Sequence, residues 1–406
     1  MIKKYDIIIC GAGLAGLSLA YSAFSSDVWT NQRVLIIDKS TKDTNDRTWS
    51  FWEKSPGIFE SLVHHKWNQL VFFTNDQQRI DLQHLPYKYK TIKGLDFYNY
   101  VRSFLQKLTQ VEWIEESVES VESPGDHCLV KTDKGRYECK FAFDSRYKKP
   151  DLKYGDQYFL QHFKGITIKT GNRKFNPDQA FLMDFRTSQK NGTTFFYTLP
   201  MSENEVFIEY TLFSKELLKE DIYDHELKDY ITNVLGVSDY DLIDSEFGVI
   251  PMTDYKFKRR SGNVMNIGTA GGDTRGSTGY TFTNVQKTIT KIVQAFERTG
   301  TPFFEDEQLG SIEKLYDSTL LNVLAEGNYE GHQLFTDLFK GTKAKTVFSF
   351  LDGESGIIEE LKVMKSLRTW PFLKWFTKVV YKNLYFKLIN LKVTQNNQRN
   401  SSTDDR

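Results

Sequence analysis

Cysteine is scarce in this chain: its 406 residues carry three, Cys10, Cys128 and Cys139, with no CxxC spacing. So sparse and odd a set argues against a disulfide framework and a structural zinc site, and no metal is expected. Long apolar runs are lacking as well. No stretch of eighteen apolar residues occurs, so no helix is expected to span a bilayer. A strand-like run begins almost at Met1, which leaves no secretory leader to be read. Nor is either charge in excess. The 53 basic and 53 acidic residues cancel, which removes a general electrostatic pull toward nucleic acid. The expected location is cytoplasmic, either free or peripheral on a membrane.

Aromatic residues, by contrast, are abundant at 15%. Extra Phe and Tyr suit a pocket for something large and apolar, but composition alone favours an ordinary core. A chain of this length is too long for one small core and implies two or more lobes.

The first lobe is legible at once. Tyr5 to Cys10 (YDIIIC) is an almost continuous apolar, β-rich run, as in a strand buried on both faces. It leads into Gly11-Ala12-Gly13-Leu14-Ala15-Gly16 and a helical pattern from Leu14 to about Ser25. A second strand, Arg33 to Asp38, ends on an acid with Lys39 beside it. Each piece has a task in a dinucleotide site. Gly11 makes the tight turn, Gly13 admits a pyrophosphate to the backbone, and Gly16 lets helix and strand pack closely. The helix N-terminus at Leu14 and Ala15 offers N–H groups and partial positive charge to phosphates. Asp38 stands where a ribose hydroxyl would bind. This unit alone leaves FAD and NAD both open.

Two distant segments favour FAD. Phe141 to Arg146 (FAFDSR) is strand-like and ends in Asp144-Ser145-Arg146. Asn263 to Thr283 runs from a strand, Val264 to Ile267, into a glycine-rich loop with Gly268, Gly271, Gly272 and Gly279. A helix is expected next, because Val285, Ile289, Ile292 and Phe296 keep helical spacing. A loop entering a helix N-terminus is again an anion cradle. In this order the three segments resemble the fingerprints of the aromatic-hydroxylase class of flavoproteins. Ser145 stands where that class has glycine, and Thr269 where it has aspartate.

Further motifs narrow the resemblance. They are Asn45–Glu53 (NDRTWSFWE), Leu160–Gly165 (LQHFKG), Pro177–Arg186 (PDQAFLMDFR), Val206–Ser214 (VFIEYTLFS), Gly248–Thr253 (GVIPMT) and Gly268–Phe282 (GTAGGDTRGSTGYTF). Together they resemble the lycopene cyclase family, most of all its bacterial β-cyclase branch, over roughly the first two-thirds of the chain. The resemblance implies reduced FAD, with NAD(P)H as its reductant, and a net reaction that is not a redox reaction. A terminal double bond of lycopene is protonated, a neighbouring double bond closes a six-membered ring, and a proton is lost to give a β-ionone end. γ-Carotene and then β-carotene result. It also implies that Glu209, in Phe207-Ile208-Glu209-Tyr210-Thr211, is the acid/base, with Tyr210 where the family has a second acid. A carbon–carbon double bond is a poor base, so such an acid must be desolvated and well placed. Asp184, within an apolar stretch, is expected either as a second proton carrier or as a partner of Arg186. Arg47 and Trp49 are expected to line the flavin or the channel. His162 reads as a satisfied core histidine.

The expected fold is α/β, α+β overall. A discontinuous Rossmann-type FAD domain (1–150 and 250–300) surrounds a β-rich substrate lobe (151–249), and a helical region (301–395) and a disordered tail (396–406) follow. Within the helical region, Leu361 to Val393 carries eight basic residues and no acid, interleaved with Trp, Phe and Tyr. Lys374, Lys378 and Lys382 recur every four residues on one helix face. Such a stretch fits an anionic membrane surface, here the inner face of the cell membrane, or a solvated cationic face. The expected ligands are lycopene and other linear carotenoids, with no nucleic acid and no obligate protein partner. Three other readings remain open: a flavin monooxygenase, a geranylgeranyl-type reductase, and a non-catalytic carotenoid-binding protein.

Overall fold

A computed structural model describes residues 2–305 and 312–382. Strand Lys3–Cys10 lies at the centre of the first sheet, parallel to Val34–Asp38 on one side and Arg136–Asp144 on the other. Val111–Glu115 and Val264–Asn266 extend this parallel row outward. Ile7, Ile8, Ile9 and Cys10 are wholly buried, so the continuous apolar run does mark a strand covered on both faces. Helices Leu14–Ser25 and Phe282–Thr299 cover one face, sharing a core with Ile7, Ile9, Val34 and Ile36. Val285, Ile289, Ile292 and Phe296 are the buried positions of the second helix, as their spacing predicts. Cys10, Ile37 and Asp144 lie in register. The carboxyl ends of three parallel strands therefore open onto one crevice, where ligands bind in open α/β sheets.

The second sheet is seven-stranded. Its order is Tyr240–Thr253, Tyr158–Thr170, Glu205–Ser214, Thr193–Pro200, Gln179–Asp184, Gln69–Phe73 and Arg79–Asp81. The last two strands fall within residues 1–150, the range expected for the first lobe, yet Gln69–Phe73 pairs parallel with Gln179–Asp184. Their own sequence carries no sign of that partner. A small third sheet, Thr48–Glu53, Lys88–Lys93 and His65–Trp67, falls in sequence between Val34–Asp38 and Val111–Glu115 of the first sheet.

Alternation along Glu205–Ser214 decides what the second sheet offers to each side. Val206, Ile208, Tyr210 and Leu212 pack under the helical turns of 220–234, against Tyr223, Leu227 and Ile231. Phe207 and Phe213 point the other way, into a core shared with the C-terminal helices Ile312–Glu326, Gly331–Gly341, Ala344–Leu351 and Ile357–Ser366. Glu209 follows Phe207 by two residues and shares its face. A last helix runs over 369–382. The basic residues expected beyond it and the tail at 396–406 lie outside the described residues.

Candidate active site

The glycines of the first turn hold the geometry of a phosphate cradle. Gly11 has φ of +105°, and a Cβ there would meet Ser145 Oγ at 2.2 Å. At Gly16 a Cβ would lie 2.0 Å from the carbonyl oxygen of Gly11, so only glycine permits this helix–strand approach. Gly13 differs: a Cβ there would meet nothing within 4 Å, because the position faces the cleft. Ser145, at the usual glycine position, is accommodated by donating from Oγ to the carbonyl of Cys10 at 3.0 Å.

Acids expected near the cofactor are already engaged. Asp38 accepts from the backbone N–H of Ala12 at 2.6 Å and of Ser40 at 2.9 Å, so it braces the glycine turn; Lys39 beside it is exposed. Asp144 is gripped by Arg146 through bonds of 2.9 and 2.8 Å. Ser145, rather than Asp144, lines the cleft. In the second glycine loop, Gly268 (φ +64°) and Gly279 (φ +72°) both line the cleft. Gly271 and Gly272 form the back of the turn, where a Cβ on Gly271 would strike Asn266 O at 2.3 Å. Thr269, at the aspartate position, joins a hydroxyl chain with Thr274 and Thr281. Gln161 Oε1 is buried at the cleft wall without a protein partner, an acceptor suited to a donor on a bound group.

The cleft, about 420 Å³, joins Gly13, Leu14, Ala15, Gly268 and Gly279 at one end to Glu209 at the other. Arg47 and Trp49 line it too. Glu209 is 9% exposed and accepts from Thr211 Oγ1 at 2.5 Å. Burial, then the charge of Glu246, pushes its carboxyl up to about 8, and the threonine bond offsets only part of this. At neutral pH it is therefore mainly an acid. Tyr89, Tyr197 and Tyr280 share the cleft with it, and the Tyr89 and Tyr280 hydroxyls lie 3.5 Å apart. Burial raises all three phenols, Tyr280 to about 12, so they remain neutral.

Of the two roles expected for Asp184, the structure shows the pairing with Arg186, and the role of second proton carrier is corrected accordingly. Asp184 is fully buried, but it accepts from Arg186 Nε at 2.9 Å and from the Tyr230 hydroxyl at 2.6 Å, and it does not line the cleft. A carboxylate so saturated, and set away from the cleft, is structural. The residue that sequence reasoning missed is Glu246. Gly165 pairs with Glu209 on one neighbouring strand and with Glu246 on the other. Thr48, from the Asn-Asp-Arg-Thr-Trp segment, donates to Glu246 Oε2 at 2.5 Å, and Arg47 Nη1 donates to the Phe247 carbonyl at 3.1 Å. Burial pushes Glu246 up to about 7. His162 lies elsewhere, between Ser214 Oγ at 2.7 Å and the Tyr223 hydroxyl at 2.5 Å, a satisfied core histidine.

Beyond the tyrosines lies a second cavity of about 350 Å³. Tyr197, Thr278 and Tyr280 line both spaces. Its walls are almost wholly apolar: Leu182 and Phe195 from the sheet, Phe335 and Leu338 from the helices, and Leu373 and Phe376 from helix 369–382.

A parallel sheet with a glycine cradle, docked on a large second sheet, is the architecture of the FAD-dependent aromatic-hydroxylase flavoproteins. Solved structures agree on the fold. The chain is 12% identical to a geranylgeranyl bacteriochlorophyll reductase-like protein of Thermoplasma acidophilum (TM-score 0.61), covering 93% of this chain and all of that one. It is 11% identical to a flavoprotein/dehydrogenase of Cytophaga hutchinsonii (TM-score 0.62), covering 94% of this chain and all of that one. Within that class the chain belongs to the family described as lycopene cyclase protein, whose sequence profile matches residues 6–375. It is 29% identical over 308 residues to a chloroplastic neoxanthin synthase of Solanum tuberosum, covering 68% of this chain and 57% of that protein. Over 220 residues it is 26% identical to a lycopene β-cyclase of Paracoccus sp., covering 52% of each. The chain thus spans about half the length of these curated relatives.

Proposed function

We propose that the protein is a lycopene β-cyclase, converting the linear ends of lycopene to β-ionone rings and giving γ- and β-carotene. The observation that carries this reading is Glu209: a buried, mainly protonated carboxyl in a flavin-type cleft, beside Tyr197 and Tyr280, which also line an apolar cavity. The cleft lining suits FAD, which would be held at Gly13 and the N–H groups of Leu14 and Ala15, in a turn shaped by Gly11 and Gly16, with Gly268 and Gly279 also available to it. Bound and reduced by NAD(P)H, it supplies an electron-rich ring beside developing positive charge. The polyene lies in the apolar cavity with one end past Tyr197 and Tyr280. Glu209 gives its proton to the terminal double bond. The neighbouring double bond attacks the cation and closes the ring. The Glu209 carboxylate then takes the proton lost from the ring, so the acid is restored. The faces of Tyr89, Tyr197 and Tyr280 stabilise the cation and leave little room for water.

No helix among the described residues is long and apolar enough to cross a membrane. Helix Ile357–Ser366 and helix 369–382 instead expose Ile357, Ile358, Leu361 and Trp370 beside Lys362 and Lys365. Met364 and Leu373 of the same helices, with Leu367 between them, line the apolar cavity. This face is assigned to an anionic bilayer, from which the polyene enters. The test is anaerobic incubation of the purified protein with lycopene in liposomes, FAD and NADPH. Cyclic carotenes without matching NADPH consumption are expected. A saturated product with stoichiometric NADPH consumption would replace the cyclase by an isoprenoid reductase.

A further inference from the structure

We propose that Glu246 is the relay through which Glu209 exchanges its proton with solvent, using a small pocket on the far side of Phe207 and Thr48. It rests on the reading of Glu209 as the acid.

Gly165 sets the geometry. Its two neighbours in register, Glu209 and Glu246, rise from the same face of the sheet on strands about 9.5 Å apart. A side chain at 165 would meet the Phe207 ring at 2.4 Å and Glu246 Cγ at 3.3 Å. Glycine there lets both lie over the intervening strand. Phe207 and Thr48 then become a party wall, lining the cleft on one side and, on the other, a pocket of about 80 Å³. Glu246 opens into that pocket with Asn45, Lys93 and Glu205, and Glu209 opens into the cleft. The pocket has room for about two waters. Thr48 bridges the two sides, since its hydroxyl donates to Glu246 and its side chain borders the cleft.

A relay answers a specific difficulty. Between turnovers no ring proton is at hand, and burial raises the Tyr89, Tyr197 and Tyr280 phenols that share the cleft, so an ionised Glu209 has no ready acid among them. Glu246 has a carboxyl that protonates in a similar range. Among the groups facing it, Arg47 favours its charged form, Asp244 opposes it, Thr48 donates to it, and Lys93 and Glu205 stand across the pocket. The exchange balances: a proton leaves Glu246 as one reaches the Glu209 carboxylate, by way of the Thr48 hydroxyl or a water, and Glu246 takes another from the pocket.

The experiment compares FAD-loaded wild type with Glu246→Gln and Glu246→Asp, intact binding being checked by the flavin spectrum. The Glu209 carboxyl band in the infrared is identified by its loss in Glu209→Gln. On transfer to D2O that band is expected to exchange roughly tenfold or more slowly in Glu246→Gln, and at near the wild-type rate in Glu246→Asp. With lycopene in D2O, wild type is expected to place a deuteron in each ring. Glu246→Gln recycles substrate-derived protons and places fewer, and added formate restores the label through the open pocket. Equal exchange and equal label in Glu246→Gln and wild type would overturn the relay. Fast wild-type exchange that slows in Glu246→Gln, with no cyclic product from either, would overturn the proposed function and leave the relay standing.

Discussion

The two cavities meet at Tyr197, Thr278 and Tyr280, yet they are built on opposite principles. The cleft is made by backbone. Glycines at 13, 268 and 279 line it, those at 11 and 16 shape the turn behind it, and its acid Glu209 accepts a short hydrogen bond from Thr211. The apolar cavity is made by side chains alone, drawn from the sheet, the glycine loop and the C-terminal helices. One space demands particular residues at particular φ angles. The other demands only that apolar side chains stop short of filling it. The proposed acid, Glu209, lies on the cleft side of the tyrosines that both spaces share, and an acid for a hydrocarbon must be dry and near a polar cofactor.

Removing the acid should have the largest effect. Glu209→Gln is expected to lower cyclisation by roughly 10²–10⁴-fold while the flavin spectrum is unchanged. Retained turnover would remove Glu209 from its role. The wild-type rate should hold at neutral pH and fall as pH rises through about 8, because the ionised carboxyl has no proton to give. Stability follows the same sign. A raised folded pKa favours the native state most at pH below 4.5, and that contribution is lost as pH rises toward 8. Glu209→Gln should therefore raise the melting temperature relative to wild type more at pH 9 than at pH 5.

Gly13→Val tests the cleft alone. Its Cβ meets no protein atom, so the fold is expected to survive while the added methyls occupy space reserved for pyrophosphate. Loss of bound FAD with an unchanged circular dichroism spectrum is the expected result. Tight FAD binding in this variant would refute the cradle.

This contrast also explains how much could be read in advance. The cleft was legible because φ > 0 and close backbone contact demand glycine, which leaves a mark in sequence at Gly11, Gly16 and Gly279. Glu209 was legible through its place in a strand motif. Glu246 was not, since Ser-Glu-Phe is ordinary strand sequence and its importance comes from pairing across Gly165. Strand Gln69–Phe73 was assigned by position to the first lobe, because nothing local reveals a partner more than a hundred residues away. Asp184 followed the rule that a buried carboxylate in an apolar stretch needs explaining, but Arg186 two residues on supplies the explanation. The apolar cavity left no mark at all: Phe335 and Leu338 look like core, and a void is a property of packing.

Filling that void should leave the cleft untouched. Leu320, partly buried on helix Ile312–Glu326, borders the cavity. Leu320→Trp is expected to keep FAD and to raise KM for lycopene several-fold, with a stability cost of about 1–3 kcal/mol from overpacking. An acyclic analogue too short to reach Leu320 should be cyclised as before. Equal loss for long and short substrates would mean that the cavity does not hold the polyene.

The smallest effect is expected at the exposed face beside the cavity. Ile357 is 77% exposed and Ile358 72%, so replacing both by Ser removes apolar surface without opening the core. Fully burying such a side chain is worth about 1.5–3 kcal/mol, and a lipid interface recovers only part of it. Ile357→Ser with Ile358→Ser should weaken flotation with anionic vesicles about tenfold, and added salt should weaken it further by screening Lys362 and Lys365. Turnover on lycopene presented in detergent should be unchanged. If liposome and detergent assays fell together, the face would belong to the substrate path itself; if neither changed, the bilayer would have to be met by another surface, and the two cavities would have no common entrance at these helices.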